Sequence, residues 1–256
     1  MVVRKTPSEL EKMRAAGMLV YDVLKALEAM TTEGVTTLDL EMAAEKMIRD
    51  AGARPAFKNY FVPAVGQRYR HVLCTSVNDE IVHGIPSDRR VLKSGDVVSI
   101  DTGVELNGYF GDSALTVPIG QITPQITRLL EVTKESLEKA IEQVRPGNRL
   151  FDVCGAVERY VVANGFGIIR EYVGHGIGTQ LHEEPQVPNY VDRNHENPRL
   201  KEGMVLAIEP MISAGKPDTK VGGDKWTAKT KDGSYSAHFE HCVAVTADGP
   251  WVLTRP

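Results

Sequence analysis

The chain has 256 residues, 42% of them hydrophobic, enough to bury a large core as one domain or two tightly joined halves. Its 30 Lys and Arg against 34 Asp and Glu leave a net charge of −4, so no global basic surface argues for nucleic acid. The first residues lead directly into a charged amphipathic pattern, and no run of signal-peptide or membrane-spanning character occurs, so the default expectation is a cytoplasmic protein.

Residues 7–30 and 37–51 read as helices. The first is opened by Thr6-Pro7 with Glu9 at capping-box spacing, and the second is closed by Gly52. Residues 53–70 mix aromatics with two prolines and a glycine and read as a loop, whereas 74–86 alternates as one strand ending in a turn at His83-Gly84. Val97–Asp101 and Tyr109–Val117 are rich in β-branched and aromatic residues, and Asn107-Gly108 between them suits the positive φ angles of a type I′ turn. That turn sets Gly103 opposite Asp112. Asp101 and Asp112 then share one face as a diagonal pair, with Cβ atoms about 7–8 Å apart or a little less. A three-residue turn would instead put the two carboxylates on opposite faces.

Two more helices are expected at 124–144 and 150–164, the first again opened by Thr-Pro. A glycine-rich stretch at 171–185 carries His175 and His182, and 186–199 reads as a polar loop. The last core strands are MVLAIEP and SAHFEHCVAVT, joined by a lysine-bearing excursion over 213–233. Cys74, Cys154 and Cys242 have no CxxC spacing, so neither a disulfide framework nor a thiolate zinc site is supported. Cys154, inside a helical pattern, reads as a small buried residue.

The chain repeats itself. Residues 92–104, LKSGDVVSIDTGV, align without a gap on 200–212, LKEGMVLAIEPMI, and Asp101 falls on Glu209. Upstream, the segments from Gly34 and from Gly147 match at Asp39 with Asp152, Ala43 with Ala156, Glu45 with Glu158 and Gly52 with Gly165. Two related halves, about 1–120 and 121–256, suggest a single catalytic domain with an internal pseudo-twofold, since repeat arrays usually need at least three units. A site between such halves collects acids from both.

The candidate ligands are Asp101, Asp112, Glu209 and Glu240 on strands or strand ends, with His83, His175 and His182 on or beside loops. Four carboxylates cannot converge unpaired, because like charges push one another's protonation equilibria upward. A pair of divalent ions removes that penalty. Carboxylates with one imidazole suit Mn, Fe, Co or Zn, and two such ions can activate a shared water for hydrolysis.

At these residues the sequence resembles the type I methionine aminopeptidases. HGIP at 83, SIDTG at 99, GDSALT at 111, GHGIG at 174, LHEEP at 181, IEPM at 208 and SAHFEH at 236 stand in the family's order and at similar spacing. The resemblance implies an α+β pita-bread fold, a pseudo-twofold α/β repeat with a curved antiparallel sheet flanked by helices. It implies two divalent ions held by Asp101, Asp112, His175, Glu209 and Glu240, with Asp112 and Glu240 bridging. It implies removal of the initiator methionine from nascent chains by a metal-activated hydroxide. Glu209 would move the proton, His182 donate to the oxyanion, and His83 hold the scissile amide or leaving amine. Cys74 matches a pocket cysteine, and Leu181 and Trp226 are further expected contacts to substrate. A monomer is expected.

The chain departs from that pattern in places. Leu181 stands where Phe is usual and His238 where Gln is common, and segment 57–73 is longer than expected. The tyrosine counterparts in the pocket stay open among Phe57, Tyr60, Phe61 and Tyr69. The lysines of the excursion (Lys216, Lys220, Lys225, Lys229 and Lys231) belong to a solvated hairpin or to a transient ribosome contact. His71 and His195 stand outside these motifs and His241 closes SAHFEH without an expected role in the site; all three read as structural or exposed. Two other readings remain: an Xaa-Pro aminopeptidase-like hydrolase, and a non-enzymatic binding protein of the same fold.

Overall fold

The structure is a computed structural model that describes residues 2–63, 65–194 and 196–256; His195 lies outside the described residues. Four helices form where their capping signals stand. In α1 (Pro7–Met30), Thr6 N–H donates to Glu9 Oε2 at 2.7 Å and Glu9 N–H donates back to Thr6 Oγ1 at 3.4 Å. Thr36 and Asp39 repeat the box for α2 (Thr37–Asp50). Thr123 caps α3 (Pro124–Ile141), which ends a turn before the expected 144, and Asp152 accepts from Arg149 N–H at the start of α4 (Leu150–Ala163).

Between α2 and α3 lie β1 (Arg54–Pro55), β2 (Phe61–Val62), β3 (Gln67–Arg68), β4 (Leu73–Val77), β5 (Glu80–Val82), β6 (Val97–Leu106) and β7 (Tyr109–Pro118). After α4 come β8 (Gly167–Ile168), β9 (Gly174–Gly176), β10 (Glu183–Val187), β11 (Val205–Ile208) and β12 (Met211–Ser213). The chain closes with β13 (Thr219–Val221), β14 (Ala228–Thr230), β15 (Ser236–His238), β16 (His241–Thr246) and β17 (Gly249–Val252). Strands β1, β6, β4 and β7 make one antiparallel sheet, and β10-β9-β11-β16-β17 makes another. Each sheet buries a face against its own helix pair. Val20, Leu27, Leu40 and Ile48 meet Leu73, Val98 and Ile100, while Leu129, Leu137, Leu150 and Val157 meet Leu206, Val243 and Val245.

The aligned segments behave alike. Gly34 N–H donates to Leu92 O at 2.9 Å, and its counterpart Gly147 donates to Leu200 O at 3.2 Å. Both glycines need a left-handed backbone, with φ of 90° and 93°.

Several local expectations differ from the structure. Residues 74–86 are two strands and not one, because Asn78 turns the chain with φ 59° and its side-chain oxygen accepts from Val97 N–H. The 53–70 segment is not a plain loop: β1 joins the β6 edge, and β2 and β3 form a small hairpin. His175 sits inside a strand, where Ala207 on β11 pairs with it. The 213–233 excursion is a hairpin as expected, but its β14 also docks on β5.

Candidate active site

Asn107 and Gly108 have φ of 53° and 80°, and the ladder runs Leu106 to Tyr109, Gly103 to Asp112 and Asp101 to Ala114. The two-residue turn therefore holds, and Asp101 and Asp112 share the expected face. Glu240, in the link between β15 and β16, is brought to the same hairpin because its N–H donates to Ala114 O at 2.9 Å. Glu209 follows directly on β11, and β9 places His175 beside that strand. Ligand atoms of Asp112, His175 and Glu240 all lie within 4.8 Å of one another.

The electrostatics of this cluster are strained. Asp101, Asp112 and Glu240 are held well above the ordinary carboxylate range, chiefly by burial and then by one another and Glu209. Burial pushes Glu209 up to about 8. Asp101 Oδ1, Asp112 Oδ1 and Glu240 Oε1 are buried with no hydrogen-bond partner among the described residues. Buried acceptors left unpaired are costly, and a divalent cation would satisfy all three. His175 completes the donor set: its Nδ1 lies 2.8 Å from Gly176 O, so that nitrogen carries the proton. The free Nε2 lies 3.9 Å from both Asp112 Oδ2 and Glu209 Oε1. Burial, and next the neighbouring His182, holds His175 at about 3, so it is a neutral donor. The residues present fit a hard or borderline divalent metal.

These groups line a cleft of about 720 Å³, as do all ten side chains singled out from the sequence. His182 lies above His175, ring centroids 4.3 Å apart, and its Nδ1 is 2.8 Å from the Tyr60 hydroxyl. His83 has φ 61° and stands edge-on to Tyr172 at 5.5 Å. It reaches solvent through the cleft mouth, yet the enclosing walls, and then His238 and His182, lower its pKa to about 4. Cys74 pairs across the ladder with Asp101, and burial raises its thiol well above the usual range, so it remains a neutral wall residue. Leu181 is buried in the wall, and the half-buried Trp226 meets the Tyr69 ring at 5.1 Å.

Three residues here escaped sequence reasoning or stayed undecided in it. Tyr60 reaches His182 from the 57–73 segment. Tyr69 is buried, its hydroxyl donating to Leu73 O at 2.8 Å and Gly84 O at 3.2 Å. His238, seen only as an unusual residue in SAHFEH, places Nε2 3.4 Å from Glu209 Oε2. SAHFEH reads as one continuous strand in the sequence, but it is two, β15 and β16, with Glu240 in the link between them; the two-residue spacing of His238 from Glu240 was the available signal. His71 and His241 are structural: His71 Nδ1 is 3.5 Å from Glu41, and His241 Nδ1 is 2.8 Å from Thr254 Oγ1.

Buried carboxylates and a bare imidazole lone pair lining a substrate-sized cleft, in an antiparallel α+β framework, define a metal-dependent hydrolase. The chain belongs to metallopeptidase family M24, whose profile matches residues 11–247, and it has that family's pita-bread fold. It is 50% identical to the methionine aminopeptidase of Aquifex aeolicus over 248 residues, covering 96% of each chain. It is 48% identical to methionine aminopeptidase 1 of Bacillus subtilis, with all of both chains covered. The crystal structure of the Thermotoga maritima methionine aminopeptidase superposes with a TM-score of 0.95 at 42% identity, again over all of both chains. Among the described residues no helix is long and apolar enough to cross a membrane.

Proposed function

We propose that this chain is a methionine aminopeptidase that removes the initiator methionine from nascent proteins in the cytoplasm, acting as one catalytic unit built of two related halves. The observation that carries the reading is the set of buried carboxylate oxygens of Asp101, Asp112 and Glu240, without a hydrogen-bond partner among the described residues, beside His175 inside an apolar-walled cleft. The similarity to named methionine aminopeptidases over nearly the whole chain supports the choice of substrate.

In this reading Asp101, Asp112, His175, Glu209 and Glu240 hold two divalent ions of the Mn, Fe, Co or Zn kind. When bound, such ions lower the pKa of water toward neutrality and polarise a carbonyl. The protein's own groups do the rest. Glu209, whose carboxyl holds a proton readily in this environment, moves the proton from the attacking water toward the leaving amine. The Tyr60 hydroxyl lies 2.8 Å from His182 Nδ1; the role proposed for His182 requires that hydroxyl to be the donor, so that the ring proton stands on Nε2 and can be given to the carbonyl oxygen as negative charge develops. His83, neutral and lining the same cleft, holds the scissile amide. Cys74, Leu181 and Trp226 exclude water around the methionine side chain.

The exposed Lys216, Lys220, Lys225 and Lys231 are left for a transient, salt-sensitive ribosome contact by a monomer. Lys229 is engaged instead by Asp79 at 3.5 Å and Glu80 at 3.3 Å.

The test is release of the first residue from Met-Ala, Leu-Ala and Ala-Pro peptides by metal-stripped protein, with and without added Mn or Co. Metal-dependent release from Met-Ala alone is expected. Release from Ala-Pro would move the substrate, and no release despite bound metal would leave a binding protein.

A further inference from the structure

The segment 57–73 does more than close the methionine pocket. Phe61 pairs with Arg68 and Val62 with Gln67, and the base is tied by Asn59 N–H to Tyr69 O at 2.7 Å and Tyr69 N–H to Tyr60 O at 2.9 Å. The hairpin is anchored to the site twice, through the Tyr60 hydroxyl on His182 and through Tyr69 against Trp226. Its two faces differ. On the outer face the Arg68 guanidinium lies over the Phe61 ring at 5.8 Å. On the inner face Val62 and Val65 are half-buried and line the cleft, and Val221, 59% exposed, faces the same space from β13.

The cleft is too large for one side chain. A volume of about 720 Å³ lies in the range that holds a drug-sized molecule, equivalent to several residues. Its walls grade from buried residues near the acids (Cys74, Val82, Leu181, Met211) to half-buried and exposed ones at the mouth. In an extended peptide successive side chains alternate, so residues one and three point to the same side. With the first side chain against the wall that contains Cys74, the third points toward the hairpin, which is continuous in sequence with that wall.

We infer that Val62 and Val65 of the hairpin, with Val221, form an outer apolar subsite that selects substrates with an apolar third residue. This rests on the aminopeptidase reading above. The occupant is the substrate's own chain, because the subsite continues the substrate cleft. Lys225 at the rim is the charged group nearest in sequence to Trp226, and an acidic third residue is the competing occupant.

The experiment compares kcat/KM of the metal-loaded protein on Met-Ala, Met-Ala-Leu-Lys, Met-Ala-Ser-Lys and Met-Ala-Asp-Lys. The third-residue Leu peptide is expected to exceed the Ser peptide about tenfold, or about 1.4 kcal/mol, and the Asp peptide by at least as much. In the Val62→Ser/Val65→Ser double variant that ratio, with each rate taken relative to Met-Ala cleavage by the same variant, should fall below about threefold. Equal rates on the Leu and Ser peptides, faster cleavage of the Asp peptide, or a ratio that survives the double substitution would overturn the subsite. Loss of Met release from every peptide by wild-type protein with metal bound would bring down the aminopeptidase reading itself, and the subsite with it.

Discussion

Stripping the metal is the most informative perturbation, because the cluster is built around charge that the protein alone does not neutralise. The pKa values of Asp101, Asp112, Glu209 and Glu240 are all raised in the folded state. A carboxyl with a raised folded pKa contributes stability that is fully present below its unfolded pKa and lost as pH rises through the folded value. For Glu209 the window runs from the ordinary glutamate value of 4.5 to about 8. At about 1.4 kcal/mol for each tenfold change in proton affinity, that one residue removes on the order of 5 kcal/mol from the metal-free protein. For a chain of this size, about 2–4 °C per kcal/mol makes a fall in Tm of roughly 10–20 °C between pH 5 and pH 9. Metal at a hundred times its dissociation constant restores about 2.7 kcal/mol, and more as pH rises, because protons no longer compete for the ligands. Thermal unfolding followed by circular dichroism, on stripped and on Mn- or Co-loaded protein across that range, measures both slopes. The gap between the two forms should widen with pH, and Asp112→Asn should raise the Tm of the stripped protein at pH 9 while reducing the metal-induced gain. Parallel pH profiles for stripped and loaded protein, or an Asp112→Asn variant with an undiminished metal response, would refute the argument that unpaired buried charge shapes this site.

Tyr60→Phe removes the partner of His182 Nδ1, a bond worth about 0.5–1.5 kcal/mol; steady-state kinetics should show kcat lower by about two- to tenfold with KM little changed. Glu41→Ala leaves two buried donors unpaired at the entry to β4, since its carboxylate accepts from Val72 N–H at 2.7 Å and Leu73 N–H at 2.8 Å. The cost is about 2–6 kcal/mol, read as a lower midpoint in urea, and the strand carrying Cys74 loosens with it. Lys5→Met strands the Glu183 carboxylate, which meets Lys5 Nζ at 2.6 Å with both side chains almost fully buried. Breaking such a pair costs about 3–5 kcal/mol, and Lys5→Met/Glu183→Gln should recover part of it in the same denaturation assay. Because Glu183 also accepts from Thr179 and Gln180 N–H beside His182, turnover should fall in Lys5→Met even where the protein is folded.

Features that depend on neighbours along the chain are legible without a structure. Thr6 with Glu9 and Thr36 with Asp39 start helices because a cap needs only the next three residues. Asn107-Gly108 set the register of β6 on β7 because few other pairs accept positive φ twice in succession, and that register alone put Asp101 and Asp112 on one face. The internal repeat placed Glu209 in correspondence with Asp101 before any contact was known. The tertiary structure decided what depends on distant partners. Residues 74–86 alternate as a single strand would, and they break at Asn78 because β4 pairs with β6 while β5 pairs with β14, more than a hundred residues away. Segment 57–73 has no strong local preference; it becomes a wall of the cleft because Tyr60 meets a histidine 122 positions later and the Tyr69 ring packs, tilted, against Trp226. His238 beside Glu209 and Lys5 beside Glu183 are likewise contacts between segments whose sequences carry no sign of one another. Local backbone preferences start the elements, but the burial of both sheets against their helices determines which side chains end up sharing a low-dielectric cleft, and the chemistry depends on that sharing.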